Sequence, residues 1–444
     1  MNSKKIAKMS QSSLSQKGQT ASESPARVDM EIYFEALDNP YHPTDNPKGA
    51  LPMNVAENHL CWEMLRDRIQ QVTREHEIPD WVASYGDPAG IPRFREATAS
   101  FLENHLFGTH VNPDSLAFSV GATSVIEMTS FLLADPSDTA VIPAPSYPVY
   151  TGDIGVIPGV IRYDLQTHEE LEELKNGIPI NTQKLEQAKK DIEAKGSRFK
   201  ILILTSPDNP TGGIYSEKQL RETADWCIAN QIHLIVNEIY GLSLIDISHP
   251  EIKEDYPNPI EFVSFGKIMS EYQNPYLHFW YSFSKDFGVS GFRIGLLHSF
   301  NEELIQAYRN AGLSHSISNY TQWVMSEVLE DKAFLEQFFS TYRERLTESY
   351  LIVRKSLKRM NIPFNPSFGS LFVWMDWSKF LSEESAEGEE KLWMEIYQQT
   401  GVLLTPTNGF GHKKKGLYRM VITSLNQSKL QVAMDKLEDF TKKK

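Results

Sequence analysis

The sequence predicts an α/β protein with a large domain, built on a mainly parallel sheet flanked by helices, and a smaller α/β domain after it. Two observations predict this. From about residue 115 to 320, short apolar runs alternate with amphipathic helical stretches, the pattern of parallel strands joined by crossover helices. From Lys332 the apolar period becomes that of one long helix, and a second mixed stretch begins at Ser370. A chain of 444 residues with 41% hydrophobic content can bury a core in both units.

The elements follow in chain order. Residues 1–29 are polar and lack the apolar segment of a secretory signal, so a disordered tail is expected. Residues 30–84 read as an N-terminal arm with part of the small domain. Within them, the Pro- and Asn-rich stretch 37–68 either joins the small domain or arms a partner subunit. Residues 85–325 read as the large domain, with strands at 140–142, 199–205, 232–237 and 278–282. Helices are predicted over 122–134, 217–230 and 302–311. The second opens with Ser216 and Gln219 at capping-box spacing. Residues 243–276 read as a polar, proline-containing insertion without periodicity. Residues 326–444 read as a long helix and the small C-terminal domain. Phe334, Phe338, Tyr342, Leu346, Val353, Leu357 and Met360 recur at helical spacing, which marks a core-facing stripe.

Charge and composition exclude several classes. The net charge of −14 gives no basic field for nucleic acid or an anionic membrane. No apolar run reaches the roughly 18 residues that a membrane span needs. The two cysteines, Cys61 and Cys227, lie far apart, which suits a reduced, cytoplasmic protein. No metal-ligating pattern is read.

The chemistry gathers where strands end. Lys285 stands in Ser282-Phe283-Ser284-Lys285 after an apolar strand, and Arg293 follows in Gly291-Phe292-Arg293. A lysine amine forms a Schiff base with a carbonyl cofactor. Ser282, Ser284 and Arg293 supply donors suited to a phosphate. Ala122 and Thr123 open a predicted helix behind Gly121, where backbone amides bind anions. Tyr147 offers a flat ring for stacking on a pyridine. Asn209, in Pro207-Asp208-Asn209-Pro210, and Tyr240, in Asn237-Glu238-Ile239-Tyr240, could both reach a phenolic oxygen. Arg419 sits inside an apolar strand and requires an anion, either a substrate carboxylate or a structural partner.

Together these motifs resemble, in order and spacing, the fold type I pyridoxal phosphate (PLP) enzymes of the aminotransferase class I/II superfamily. Asn39-Pro40-Tyr41, Asn46-Pro47-Lys48-Gly49, Ala56-Glu57-Asn58 and Gly121-Ala122-Thr123 resemble its 1-aminocyclopropane-1-carboxylate (ACC) synthase branch, as do the lysine and Arg293 motifs. The resemblance implies PLP as cofactor and a homodimer with shared active sites. It implies Lys285 as Schiff-base lysine and general acid/base, and Tyr147 for stacking. It assigns Asn209 and Tyr240 to the phenolic oxygen, and Arg419 to the substrate carboxylate. Ala122, Thr123, Ser282, Ser284 and Arg293 would hold the phosphate. Glu57 would lie near S-adenosylmethionine (SAM), the substrate of that branch.

Two departures stand out. The family has aspartate where this chain has Asn237, so the pyridine nitrogen lacks its negative partner. The amide either tunes the site toward chemistry that needs less carbanion stabilisation or marks an inactivated site. The family tyrosine donated to the partner's phosphate falls at Pro88, and Tyr85, three residues earlier, is the candidate replacement. The leading expectation is an enzyme acting on an α-amino acid through an external aldimine, with SAM consumed by α,γ-displacement or γ-elimination. An aminotransferase passing nitrogen to a 2-oxo acid is the alternative, and a non-catalytic PLP-binding protein is the alternative from another class.

Overall fold

The computed structural model describes residues 12–23 and 29–444. The expected disordered tail falls partly on residues 1–11 and 24–28, which lie outside the described residues. Within it, Gln16–Glu23 is a helix. The Ser15 hydroxyl accepts from the Gly18 amide and so caps its first turn.

Among the described residues, twelve strands follow in chain order: β1 (Leu51–Pro52), β2 (Leu116–Val120), β3 (Thr139–Ala144), β4 (Ile161–Gln166), β5 (Phe199–Thr205), β6 (His233–Asn237), β7 (Leu277–Ser282), β8 (Ile294–Ser299), β9 (Phe372–Asp376), β10 (Val402–Leu403), β11 (Thr405–Pro406) and β12 (Leu417–Val421). The large sheet has the order β2-β8-β7-β6-β5-β3-β4. Strands β7, β6, β5, β3 and β4 pair in parallel, and β8 runs antiparallel to both its neighbours.

Both faces of this sheet are covered, as parallel strands require. Alternation along β5 shows it. Leu202 and Leu204 join one apolar cluster, while Ile201 and Ile203 join the one on the opposite face. The helices at Ala122–Leu133, Glu217–Ala229 and Glu302–Ala311 match their expected positions within a residue. The capping box of Ser216 and Gln219 is formed in both directions.

Lys332–Met360 is a single helix whose first turn is capped by Asp331. All seven stripe residues pack into the core, with Phe334 only partly buried. The small domain carries the antiparallel sheet β11-β12-β9 and the helices Ala386–Thr400 and Gln427–Thr441. Strand β1 pairs in parallel with β10, which ties the N-terminal segment to this domain.

One expectation needs correction. The stretch 243–276 contains a helix, Phe265–Tyr272. Its start is fixed by Ser264, whose hydroxyl caps Gly266. Glu238 reaches back from the end of β6, accepting from the Ser264 hydroxyl and the Phe265 amide.

Candidate active site

A cavity of about 380 Å³ opens at one edge of the large sheet. It collects the carboxyl ends of the parallel strands, the usual ligand position in such sheets. Tyr147 follows β3, Asn209 follows β5, Asn237 ends β6 and Lys285 follows β7, and all four line it. Ala122 and Thr123 follow β2, and Arg293 precedes the reversed strand β8, so these also reach it. Tyr240, Ser284 and Arg419 also stand on its wall.

The turn bearing Lys285 is held from several sides. Ser282 caps it by accepting from the Ser284 amide. Burial pushes the neighbouring Asp286 carboxyl up to about 7, although it accepts from Ser243, Leu242 and Tyr281. The Ala56-Glu57-Asn58 segment grips the lysine itself. The Lys285 Nζ donates to the Ala56 carbonyl at 2.6 Å, and the Asn58 amide donates to the Lys285 backbone carbonyl at 2.7 Å.

The phosphate end is shaped by close approach. Gly121 sits at φ +91°, just ahead of the helix N-terminus. A Cβ there would lie 2.2 Å from the Arg293 guanidinium, so only glycine lets the arginine lie against the helix start. Arg293 is steadied by the Ser290 and Val120 carbonyls. Helix amides, Ser284 and a guanidinium form a donor set that suits a dianion.

At the other end, Arg419 is 2% exposed. It donates to Asn209 Oδ1 at 2.8 Å and to Thr405 Oγ1 at 3.2 Å, and also to the Asn54 carbonyl. Its guanidinium lies over Phe372 at 4.5 Å and Phe410 at 5.3 Å. Asp208 accepts from the Thr211 amide and hydroxyl, and so closes the turn that presents Asn209. Burial raises the Tyr240 phenol far above its usual range, with Arg419 pulling the other way.

Three expected residues lie elsewhere. Ser282 is fully buried and does not line the cavity; its hydroxyl donates to the Ile294 carbonyl and meets Ser284 Oγ. Glu57 is half-buried beside the cavity, which its neighbours Val55 and Ala56 line. Tyr85 is 98% exposed, over a surface depression shared with Trp81 and Asn319.

The sequence reading missed Tyr150, Thr205 and the Asn58 bond to Lys285. Tyr150 lies three residues past Tyr147, and the two rings meet edge to face with centroids 5.5 Å apart. Its hydroxyl accepts from the Asn237 amide at 2.9 Å and meets Thr205 Oγ1 at 3.0 Å. Burial pushes this phenol up to about 12, and both hydrogen bonds oppose the shift.

The sequence model of the family described as "Aminotransferase class I and II" matches residues 52–437. The chain belongs to this family. It is a PLP-dependent enzyme, and the Lys285 cavity with its dianion cradle fits that cofactor. The chain is similar to 1-aminocyclopropane-1-carboxylate synthase of Glycine max, at 29% identity over 91% of this chain and 82% of that protein. It is 28% identical to 1-aminocyclopropane-1-carboxylate synthase 7 of Arabidopsis thaliana, over 94% of this chain and 92% of that one. Among solved structures, Thermus thermophilus aspartate aminotransferase with maleate superposes with a TM-score of 0.77 at 20% identity, covering 97% of this chain and 100% of that chain. That likeness shows the fold.

Among the described residues, no helix is long and apolar enough to cross a membrane. Cys61 and Cys227 are both buried and unpaired.

Proposed function

We propose that this PLP enzyme acts on an α-amino acid, and that the substrate is SAM, cleaved at its Cγ–S bond. The observation that carries the amino-acid part is Arg419, a buried guanidinium held rigid on the cavity wall by Asn209, Thr405 and two aromatic faces. It suits a planar carboxylate bound by two parallel hydrogen bonds. Support for SAM comes from the two synthases above, which span almost the whole chain. The Glu57 segment against Lys285 adds to it.

The bound cofactor supplies electron withdrawal from the substrate α-carbon. The protein does the rest. Arg419 fixes the carboxylate, Tyr147 stacks on the ring, and Asn209 and Tyr240 donate to the phenolic oxygen. Arg293, Ser284 and the amides of Ala122 and Thr123 hold the phosphate. Lys285 Nζ takes the α-proton. In α,γ-displacement the Cα–Cγ bond forms while the Cγ–S bond breaks, and the sulfur leaves with its electron pair as methylthioadenosine. Glu57, half-buried beside the cavity, would face the sulfonium.

The proposed assembly is a homodimer in which Tyr85 reaches the partner's cavity. Support comes from its near-complete exposure and from the exposed Trp81, which shares its surface depression. Two buried, unpaired cysteines suit a cytoplasmic setting.

The test is incubation of the PLP-loaded protein with SAM and with a panel of amino acids and 2-oxo acids, with products read by mass. Methylthioadenosine release that depends on Lys285 is expected. A folded, PLP-loaded protein that releases none, but passes nitrogen to a 2-oxo acid, would show an aminotransferase instead.

A further inference from the structure

Asn237 ends β6 and is 6% exposed on the cavity wall. Two partners fix its amide. The backbone N–H of Ile239 donates to Oδ1 at 3.2 Å. A backbone nitrogen can only donate, so the atom facing it must be the amide oxygen. A flipped amide would set two donors against each other inside a buried site. On the other side, Nδ2 donates to Tyr150 Oη at 2.9 Å. Tyr150 is itself 1% exposed, and its hydroxyl also engages Thr205. The oxygen therefore has its donor and one amide hydrogen has its acceptor. The second amide hydrogen remains for the cavity.

We infer that Asn237 presents this second N–H to the ring nitrogen of bound PLP, as a donor to its lone pair, and that Tyr150 positions the amide to do so. The inference rests on the cofactor assignment. A protonated ring nitrogen would bring N–H against N–H, whereas an unprotonated one completes the set. An aspartate in the same place accepts from a protonated ring and so favours the opposite form. The site therefore holds the cofactor in its less electron-withdrawing state. Chemistry that needs a strong electron sink in two successive half-reactions is disfavoured. A single deprotonation followed by departure of a good leaving group is tolerated.

The experiment is solution NMR of the protein loaded with PLP labelled with 15N at the ring nitrogen, near neutral pH. The ring resonance is expected at the position of an unprotonated, hydrogen-bonded pyridine. Asn237→Asp should move it strongly upfield, to the protonated position. Tyr150→Phe should move it downfield, toward a free unprotonated pyridine, while far-UV circular dichroism stays unchanged. A merely structural Tyr150 would leave the resonance where it is, and that result overturns its positioning role. A protonated resonance in the unmodified protein overturns the inference but leaves the cofactor assignment standing. Failure to retain the label at all removes both.

Discussion

Asn58→Ala tests how the catalytic lysine is held. Asn58 is 3% exposed, and its amide orientation is set by the Leu60 N–H, which donates to Oδ1 at 3.2 Å. Its Nδ2 then donates to the Lys285 carbonyl at 2.7 Å. Alanine removes this donor, leaving that carbonyl to backbone N–H groups of its own turn, and takes the side-chain acceptor from the buried Leu60 N–H, at a cost of about 1–3 kcal/mol. A mid-range value of about 2 kcal/mol corresponds to roughly a 30-fold change in the unfolding equilibrium. Asn58→Asp is the sharper variant, because it sets a carboxylate oxygen against the Lys285 carbonyl and should cost more than alanine. Urea unfolding of the PLP-loaded proteins measures both, and dialysis against buffer measures cofactor retention. The expected order of stability and retention is Asn, then Ala, then Asp. The reasoning is refuted if alanine and aspartate lie together within about 0.5 kcal/mol of the unmodified protein, the range of ordinary surface changes.

Three further outcomes are expected. Burial lowers His233 and His298 to about 4 from the ordinary imidazole value of about 6.5, so each takes up a proton on unfolding within that interval. Stability is complete above about pH 6.5 and falls toward about pH 4, by on the order of 3 kcal/mol per histidine, which thermal melts across that range would record. Burial raises Glu238 to about 8, so the folded state binds the extra proton and stability falls as pH rises from about 4.5 to about 8. Glu238→Gln keeps an acceptor for the Phe265 amide but cannot ionise, so urea midpoints should show it gaining on the parent at about pH 9 relative to about pH 5. Gly121→Ala forces a side chain into a φ of +91° and against Arg293. It should weaken PLP binding roughly tenfold or more, from about 1–3 kcal/mol of strain, as read by cofactor titration.

Much of the framework was legible because it is written locally. The apolar run of β5 and the stripe of Lys332–Met360 each declare their own period, and their ends coincide with the structure. Ten cavity-lining residues were also legible, because strand ends in a parallel sheet converge on one edge. What escaped depends on contacts between distant residues. The Phe265–Tyr272 helix is short, and its cap comes partly from Glu238, 27 residues before Phe265. The Asn58 amide meets Lys285 across a separation of 227 residues, and Tyr150 meets Asn237 across 87. The contacts of the Ser282 hydroxyl with Ile294 and Ser284 likewise come from the turn geometry and not from residue type.

The two-residue ladder between β1 and β10 pairs Leu51 with Val402. On the ribosome, Leu51 is made long before its partner. At about 5–20 residues per second, the wait is roughly 20–70 seconds. Throughout that interval the N-terminal segment has no strand to join, and Ala56 and Asn58 lack the small-domain anchor next to them. The large sheet and its lysine turn can form first. Closure of the site is then a late event of synthesis, completed when the last hundred residues thread the beginning of the chain back onto its end.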